Sequence, residues 1–445
     1  MSLRQQASSL TLMHAAEALQ PLLVLPYAGR VLGPHGFGQY AYAVAIGQFA
    51  ATIVEYGFHW TAQRSAAAAR QERAALAALF AEVFAAKVLL CLAVTVAGLV
   101  AAGHLLALSR PMFLCAMLTA FGGILFPGWL FIGLERARQA AIPVIVARVL
   151  ALVLFVTTVT SPAEIGLAVA IQSAVPFAAG LLSLPYLAAI GLGGFRGMTW
   201  TRATRQLRLC WRGFLFSFVE RASMALPVPF IEHFAGYVAA GQYSVAEKFV
   251  GATRLCFRVI SETLLPRVAY YAQHAPDAGI DLILRSLMTL VAGSILALGL
   301  FFVAPWIILV FFGDDFRGAI PIVRAMAVIP PLVNANLCTA NLYMFNYGHE
   351  RAWSRLTLAG LLLFLFVAYV LAVHLTDATT AVVAAAIAKE ALVLSVSAGY
   401  FLVFGVRAPV GGSSTAAAAV RRRSLAPAPA ATATVRRSLT RQLQR

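Results

Sequence analysis

Acidic side chains are scarce: the 445-residue chain holds 17 Asp and Glu against 34 Lys and Arg, and all charged residues together make up 11% of it. A soluble globular domain is charged at about a quarter of its positions, so a soluble fold is excluded. Cysteine is also sparse. Cys91, Cys115, Cys210, Cys256 and Cys338 stand singly, with neither the spacing of a disulfide framework nor that of a zinc site. The chain lacks a G-x-x-x-x-G-K-[ST] phosphate loop, an H-E-x-x-H pair and a G-x-S-x-G elbow, which argues against an enzyme and against direct use of ATP. The acidic doublet Asp314 and Asp315 reads as a helix-capping turn rather than a metal pair.

What the chain has instead is apolar length. With 61% hydrophobic residues and a mean hydropathy of +0.83, it reads as an all-α integral membrane protein. Stretches of the roughly 20 apolar residues that cross a bilayer fall near 9–31, 37–61, 76–102, 112–133, 141–160, 164–190, 213–235, 238–265, 282–312, 318–345, 354–375 and 379–404, an expectation of twelve transmembrane helices.

Arginine and lysine concentrate in cytoplasmic loops, which tests this count. With a cytosolic N-terminus, Arg4, Arg64, Arg70, Arg73, Arg136, Arg138, Arg196, Arg202, Arg205, Arg208, Arg212, Arg267 and Arg351 fall inside, and only Arg110 and Arg317 fall outside, with Arg30, Arg285 and Arg355 left uncounted at helix ends. The C-terminus then returns to the cytosol with its own cluster of arginines. About half of the net charge of +17 lies after residue 405 and most of the rest in inside loops, so its partner is the anionic lipid surface rather than nucleic acid. The first apolar stretch carries Glu17, runs to Arg30 and meets no small-residue cleavage site, so it is expected to stay as helix one. The external loops, as at 32–36, 161–163 and 376–378, leave no room for an extracytoplasmic catalytic domain.

The apolar pattern is written twice. Glu17, Pro26, Gly33, Gly38, Gln39, Tyr40, Ala43 and Arg64 recur 203 positions later as Glu220, Pro229, Gly236, Gly241, Gln242, Tyr243, Ala246 and Arg267. A second echo, Gly133, Glu135 and Arg136 against Gly348, Glu350 and Arg351, lies at an offset of 215. Internal duplication in a hydrophobic chain marks transporter folds. Residues 1–190 and 213–405 are therefore expected as two pseudo-symmetric six-helix lobes. A cytosolic stretch, 191–212, joins them, and 406–445 form a basic cytosolic tail with no acidic residue, too polar to bury a core and expected to be disordered.

Ionisable residues within spans are costly and point to cavities, partners or water. Helix one carries Glu17, helix two Glu55, helix seven Glu220 and Arg221, and helix eight Glu247, Lys248, Arg254, Arg258 and Glu262. On helix eight, Glu247, Gly251, Arg254, Arg258 and Glu262 are spaced four, three, four and four apart, a polar stripe about 22 Å long at 1.5 Å per residue. Arg258 and Glu262 also read as groups snorkelling to the cytosolic headgroups. Glu82 with Lys87, and Lys389 with Glu390, read as local charge pairs tying helices together, while Arg148 and Arg324 stand alone and rank second. Pro21 and Pro26 interrupt helix one, and Pro227 and Pro229 helix seven, so both are expected to bend.

The segment Leu25 to Tyr40, with Arg30, Val31, Leu32, Gly33, Pro34, Gly36, Phe37, Gly38 and Tyr40, resembles the first-helix signature of Wzx-type polysaccharide-biosynthesis flippases. These belong to the MOP superfamily, with the MATE exporters and the lipid II flippase. Three similar stretches follow in order. Pro127, Gly128, Trp129, Leu130, Phe131, Gly133, Leu134 and Glu135 lie on helix four; Tyr243, Ser244, Val245, Ala246 and Lys248 on helix eight; and Phe312, Gly313, Asp315 and Phe316 before helix ten.

The resemblance covers residues 1–405 and implies a MATE-like, V-shaped fold of two six-helix lobes around a cavity lined by helices one, two, seven and eight. It further implies a flippase that moves an undecaprenyl-diphosphate-linked oligosaccharide repeat unit to the outer leaflet of a bacterial inner membrane by alternating access. The product would serve exopolysaccharide, capsule or O-antigen synthesis, with a polymerase and a chain-length regulator as partners. Arg221, Lys248, Arg254 and Arg258 would meet the diphosphate, a role assigned from position and charge. Glu17, Glu55, Glu220 and Glu247 either pair the arginines or bind the H⁺ or Na⁺ that drives the cycle, and no other cofactor is implied. Repeat symmetry fails at the charges: Glu55 corresponds to Arg258, Ala18 to Arg221 and Ala45 to Lys248.

Two other readings remain. A MATE-like drug or cation exporter shares the fold but calls for an acidic, aromatic pocket, and a polysaccharide-polymerising membrane enzyme calls for a long charged external loop. A major-facilitator transporter is disfavoured because the segment from Arg64 to Arg73 lacks G-x-x-x-D-R. Truncation after residue 410 is expected to leave membrane insertion and export unchanged; lost export with normal insertion would contradict the dispensable tail.

Overall fold

The computed structural model describes residues 3–191, 200–374 and 377–406. Arg196 and the expected disordered tail from Arg407 onward lie outside the described residues, as do the side chains of Ala18, Arg202, Arg212, Arg258 and Glu262.

The chain is helical almost throughout. The first half comprises α1 (Leu3–Glu55), α2 (Phe58–Ala68), α3 (Arg73–Ala101), α4 (Arg110–Leu125), α5 (Gly128–Gly133), α6 (Ala137–Thr158), α7 (Ile165–Ser173) and α8 (Val175–Ile190). The second comprises α9 (Trp200–Ala225), α10 (Pro227–His274), α11 (Pro276–Ser286), α12 (Thr289–Phe312), α13 (Ala319–Met326), α14 (Ile329–Asn336), α15 (Glu350–His374) and α16 (Ala378–Tyr400). π-Helical turns extend α14 over Leu337–Met344 and α16 over Phe401–Val406. Proline marks several starts, where a missing N–H costs nothing. Asp377 caps α16 by accepting from the Thr379 and Thr380 amides.

Among the described residues, nine helical segments are long and apolar enough to cross a membrane, which makes this a multi-pass membrane protein. They account for the expected helices from the third onward, with the seventh and eighth merged into one segment, Gly213–Arg254. The expected first two helices lie in one 53-residue run, α1, as two helices that meet at a kink at Gly33. Its polar residues, Glu17, Gln20, Arg30, Gln39 and Gln48 among them, keep it less apolar than the nine.

The expected external loop at 32–36 is a one-residue elbow. Gly33 takes φ 66° and ψ 173°, and helix resumes at Pro34. Gly236 takes φ 77° and ψ −179° inside α10, so the duplication reproduces the elbow itself. Only glycine reaches this conformation without strain.

The two elbowed helices cross just beyond their elbows. A Cβ on Gly38 would run into the Tyr237 carbonyl, and one on Gly241 into the Pro34 carbonyl and the Gly38 backbone. Tyr237 stands 203 positions after Pro34 and Gly241 stands 203 after Gly38, so this is one contact made twice. Small residues let membrane helices approach at backbone distance. Around the crossing, one core joins Phe37, Tyr40 and Ala43 of α1 to Ala240, Tyr243 and Ala246 of α10.

Polar ties hold the halves together at the same end. Arg30 donates to the Phe311 carbonyl at 3.0 Å and to the Val310 carbonyl, capping the end of α12. Tyr237 donates its hydroxyl to the Ala107 carbonyl, and the Ala107 amide donates to the Tyr42 hydroxyl at 3.3 Å.

Two expectations need correction. The joining stretch 191–212 is helical from Trp200 onward, because Ala203, Gln206 and Cys210 recur at helical spacing and are buried. The prolines also act unequally: α1 stays helical through Pro21 and Pro26, whereas α9 ends at Ala225 just before Pro227. α9 packs mainly on α3 and α1 of the first half. There Thr61 and Cys210 hydrogen-bond at 2.9 Å, and the Tyr56 and Phe214 rings stack at 4.3 Å.

Gly38→Ala is expected to cost about 1–3 kcal/mol by overpacking the crossing. Gly251→Ala, where an added Cβ meets nothing within 4 Å, should be neutral or stabilising. Thermal melting of the purified protein in detergent distinguishes the two, and equal Tm values would contradict a tight crossing.

Candidate functional site

Polar side chains inside the protein collect in two places, one in each half. In the first half, Gln20 of α1 donates to Gln172 of α7 at 3.0 Å and accepts from Arg148 of α6 at 3.2 Å. Glu17, one turn earlier, pairs with His14 at 3.1 Å. Glu55 pairs with Lys87 at 2.7 Å, and Lys87, almost fully buried, also donates to the Gly123 carbonyl at 2.8 Å. The lysine paired with Glu55 thus comes from α3, while Glu82, the neighbour expected for it, has other interactions.

In the second half a cavity of about 30 Å³ opens between α9, α10, α15 and α16, room for about two waters. Tyr243, Glu247 and Arg254 line it from α10, Ser223 from α9, Phe364 from α15, and Lys389 and Glu390 from α16. Residues 243, 247, 251 and 254 are spaced to share one face of α10, and Gly251 leaves that face open, since an added Cβ would touch nothing within 4 Å.

The charges there are cross-braced. Lys248 pairs with Glu247 at 3.1 Å and Lys389 with Glu390 at 3.2 Å. Asn336 donates to the other Glu390 oxygen at 2.8 Å. Arg254 differs: its Nε is buried and has no hydrogen-bond partner among the described residues. A buried donor without an acceptor is expensive, and this one lies beside the cavity. Arg148 Nε is likewise unpartnered among the described residues, although its Nη1 is held by Gln20.

The structure thus brings Glu247, Lys248 and Arg254 together and disperses the other expected residues. Glu220 and Arg221 are exposed on α9 and do not line the cavity. Arg324 is exposed on α13, where it donates to the Phe301 carbonyl at 3.3 Å and lies 5.2 Å over the Phe301 ring. The Arg258 side chain lies outside the described residues. The cavity also departs from the expected wall of helices one, two, seven and eight: α15 and α16 supply its far side, and among the described residues none from α1 lines it. Lys389 and Glu390, expected only as a local pair, do pair, but on the cavity wall; ionisable groups within an apolar run were the available signal. Gln20 and Gln172 escape a sequence reading because neutral amides scarcely interrupt an apolar run. No group of three or more His, Cys, Asp or Glu placed to hold a metal occurs among the described residues.

A family model described as polysaccharide biosynthesis protein matches residues 3–272. A putative O-antigen transporter of Escherichia coli (strain K12) is 24% identical over 399 residues, covering 89% of this chain and 95% of that one. Another from Shigella dysenteriae is 23% identical over 365 residues, covering 81% and 90%. Among solved structures, the lipid II flippase MurJ in an inward closed conformation superposes with a TM-score of 0.64 at 14% identity, covering 87% of each chain. An inward-facing multidrug resistance MATE family transporter of the MOP superfamily gives 0.62 at 13% identity, covering 90% and 96%. At such identities the likeness establishes the fold.

Lys87→Met, which strands the Glu55 carboxylate, is expected to cost about 3 kcal/mol, and Lys87→Met with Glu55→Gln should recover most of the loss. Thermal melting of both variants checks this; a double variant no better than the single would show that the lysine acts through packing.

Proposed function

The chain belongs to the polysaccharide biosynthesis protein family, and from that premise we propose that it moves an undecaprenyl-diphosphate-linked oligosaccharide from the cytosolic to the outer leaflet of the inner membrane. In this reading the two halves are six-helix lobes, both termini are cytosolic, and the elbow end with Arg30 and Tyr237 is the outer end. The lipid tail stays in the bilayer while the headgroup passes between the halves by alternating access.

The observation that carries the reading is the buried, unpartnered Arg254 Nε beside a cavity lined by Glu247, Lys389 and Glu390. Diphosphate oxygens accept charge-assisted hydrogen bonds from such a donor. An arriving diphosphate also competes with Glu247 for Lys248 and with Glu390 for Lys389, so two further cations become available as it binds. Arg221, exposed on α9, belongs to the path toward this site rather than to its wall. The cavity is far smaller than an oligosaccharide, so transport requires α9 and α10 to part from α15 and α16. Pro227 and Pro229 provide a weak point, since they deprive the Ser223 and Ala225 carbonyls of their intrahelical donors. An H⁺ or Na⁺ gradient acting on the carboxylates supplies the drive. A cation exporter would need those carboxylates free, whereas Glu247 and Glu390 are each held by a lysine.

Arg254→Ala is expected to lower surface polysaccharide about tenfold, the worth of one hydrogen bond to a charged group, while lipid-linked repeat units accumulate on the cytosolic side. Quantifying both at equal membrane abundance tests the reading, and unchanged levels would overturn it.

A further inference from the structure

The cytosolic half of α9 carries a feature that the cavity does not use. Residues 200–219 include four arginines and no Asp or Glu. Ala203, Gln206 and Cys210 are buried against the first half, while Arg205 and Arg208 are exposed. Arg205 and Arg208 stand three residues apart and so project from neighbouring positions on one side of the helix. Leu209 and Trp211 are also exposed, at 64% and 50%. Cations beside exposed apolar and aromatic residues mark a helix at the boundary between headgroups and acyl chains. The apolar span begins at Gly213, five residues or about 7.5 Å beyond Arg208, which puts the guanidinium at headgroup depth.

Here an open groove of about 290 Å³ lies between the end of α1 and α9, lined by Tyr56, Leu207, Arg208 and Trp211. That is close to the lower end, about 300 Å³, of small-ligand sites. Tyr56 is held unusually, with φ 44° in a region that non-glycine residues seldom occupy, and its ring is fixed by stacking on Phe214.

We infer that this groove is a docking site for the diphosphate headgroup of a polyprenyl-linked sugar, occupied at the cytosolic surface before the headgroup reaches Arg254. The inference rests on the flippase reading. Arg208 supplies the planar, permanently charged donor that suits a diphosphate, Arg205 adds a second cation, and the Tyr56 and Trp211 rings offer flat apolar walls for the attached sugar. The occupant is the transported lipid rather than bulk phospholipid, because a diphosphate presents two adjacent anionic groups to Arg205 and Arg208, whereas a phospholipid headgroup presents one.

The test uses the full-length protein in phosphatidylcholine nanodiscs, with undecaprenyl diphosphate as probe and backbone hydrogen exchange as readout. Undecaprenyl diphosphate is expected to protect residues 200–215 in wild type and in Arg254→Ala, with about tenfold weaker half-saturation in Arg205→Ala/Arg208→Ala. Phosphatidylglycerol and inorganic pyrophosphate at equal concentration should give no comparable protection. Protection of 243–256 without protection of 200–215, or the same half-saturation in the double variant, overturns the docking site and leaves the flippase reading standing. Equal protection by phosphatidylglycerol also overturns it, in favour of general anionic-lipid contact. No protection anywhere in wild type overturns both readings.

Discussion

Two bent helices can cross at backbone distance only where neither carries a Cβ, and the rest of this protein is arranged around that constraint. Gly38 lies against the Tyr237 carbonyl and Gly241 against the Pro34 carbonyl, one contact made twice by repeat-related residues. It joins α1 to α10, and their shared core continues through Phe37, Phe312 and Phe316. With this end locked by packing and by Arg30, the freedom to separate lies farther along the helices, where the polar groups are.

Symmetry in the backbone makes asymmetry in charge informative. At the interior of the first half, Gln20 holds Arg148 through its Nη1 and Lys87 holds Glu55, while the Arg148 Nε lacks an acceptor among the described residues. The second half has two lysine–carboxylate pairs and an arginine whose Nε lacks an acceptor among the described residues, beside an open space. A network with a spare donor gains a bond outright when an acceptor arrives. Each half has such an arginine, but only Arg254 lines the cavity, which is why the proposed function assigns the anion to the second half.

Much of the fold was legible because the duplication fell on residues with backbone roles. Gly33, Gly38, Gly236 and Gly241 were visible as an offset of 203, and they proved to be the elbows and the crossing. What was not legible shares one cause: local pattern does not reveal which partner an element meets. The arginines of 200–212 hid an amphipathic helix whose buried face, among the described residues, is Ala203, Gln206 and Cys210. Helical spacing gathered Glu247 and Arg254 correctly, since that face belongs to one element. It could not show that Lys389 and Glu390 complete the cavity from α16, or that Arg221 turns away from it.

α9 belongs to the second half by sequence and to the first half by packing, and this divided position links the cavity to the groove. Its N-terminal part is fastened by the Thr61–Cys210 hydrogen bond and the Tyr56–Phe214 stack, while its other end meets α10 at a proline break beside the cavity-lining Ser223. In α1 the helix continues through Pro21 and Pro26 to the elbow, so the first half has no equivalent interruption. If the halves move apart, α9 must either release its contacts with α2 and α3 or bend at Pro227. The second costs less, because two intrahelical hydrogen bonds are already absent there, whereas the first exposes Ala203, Gln206 and Cys210. Bending at Pro227 would displace Ser223 and leave the groove at Tyr56 intact, which is the order of events that the proposed docking site requires.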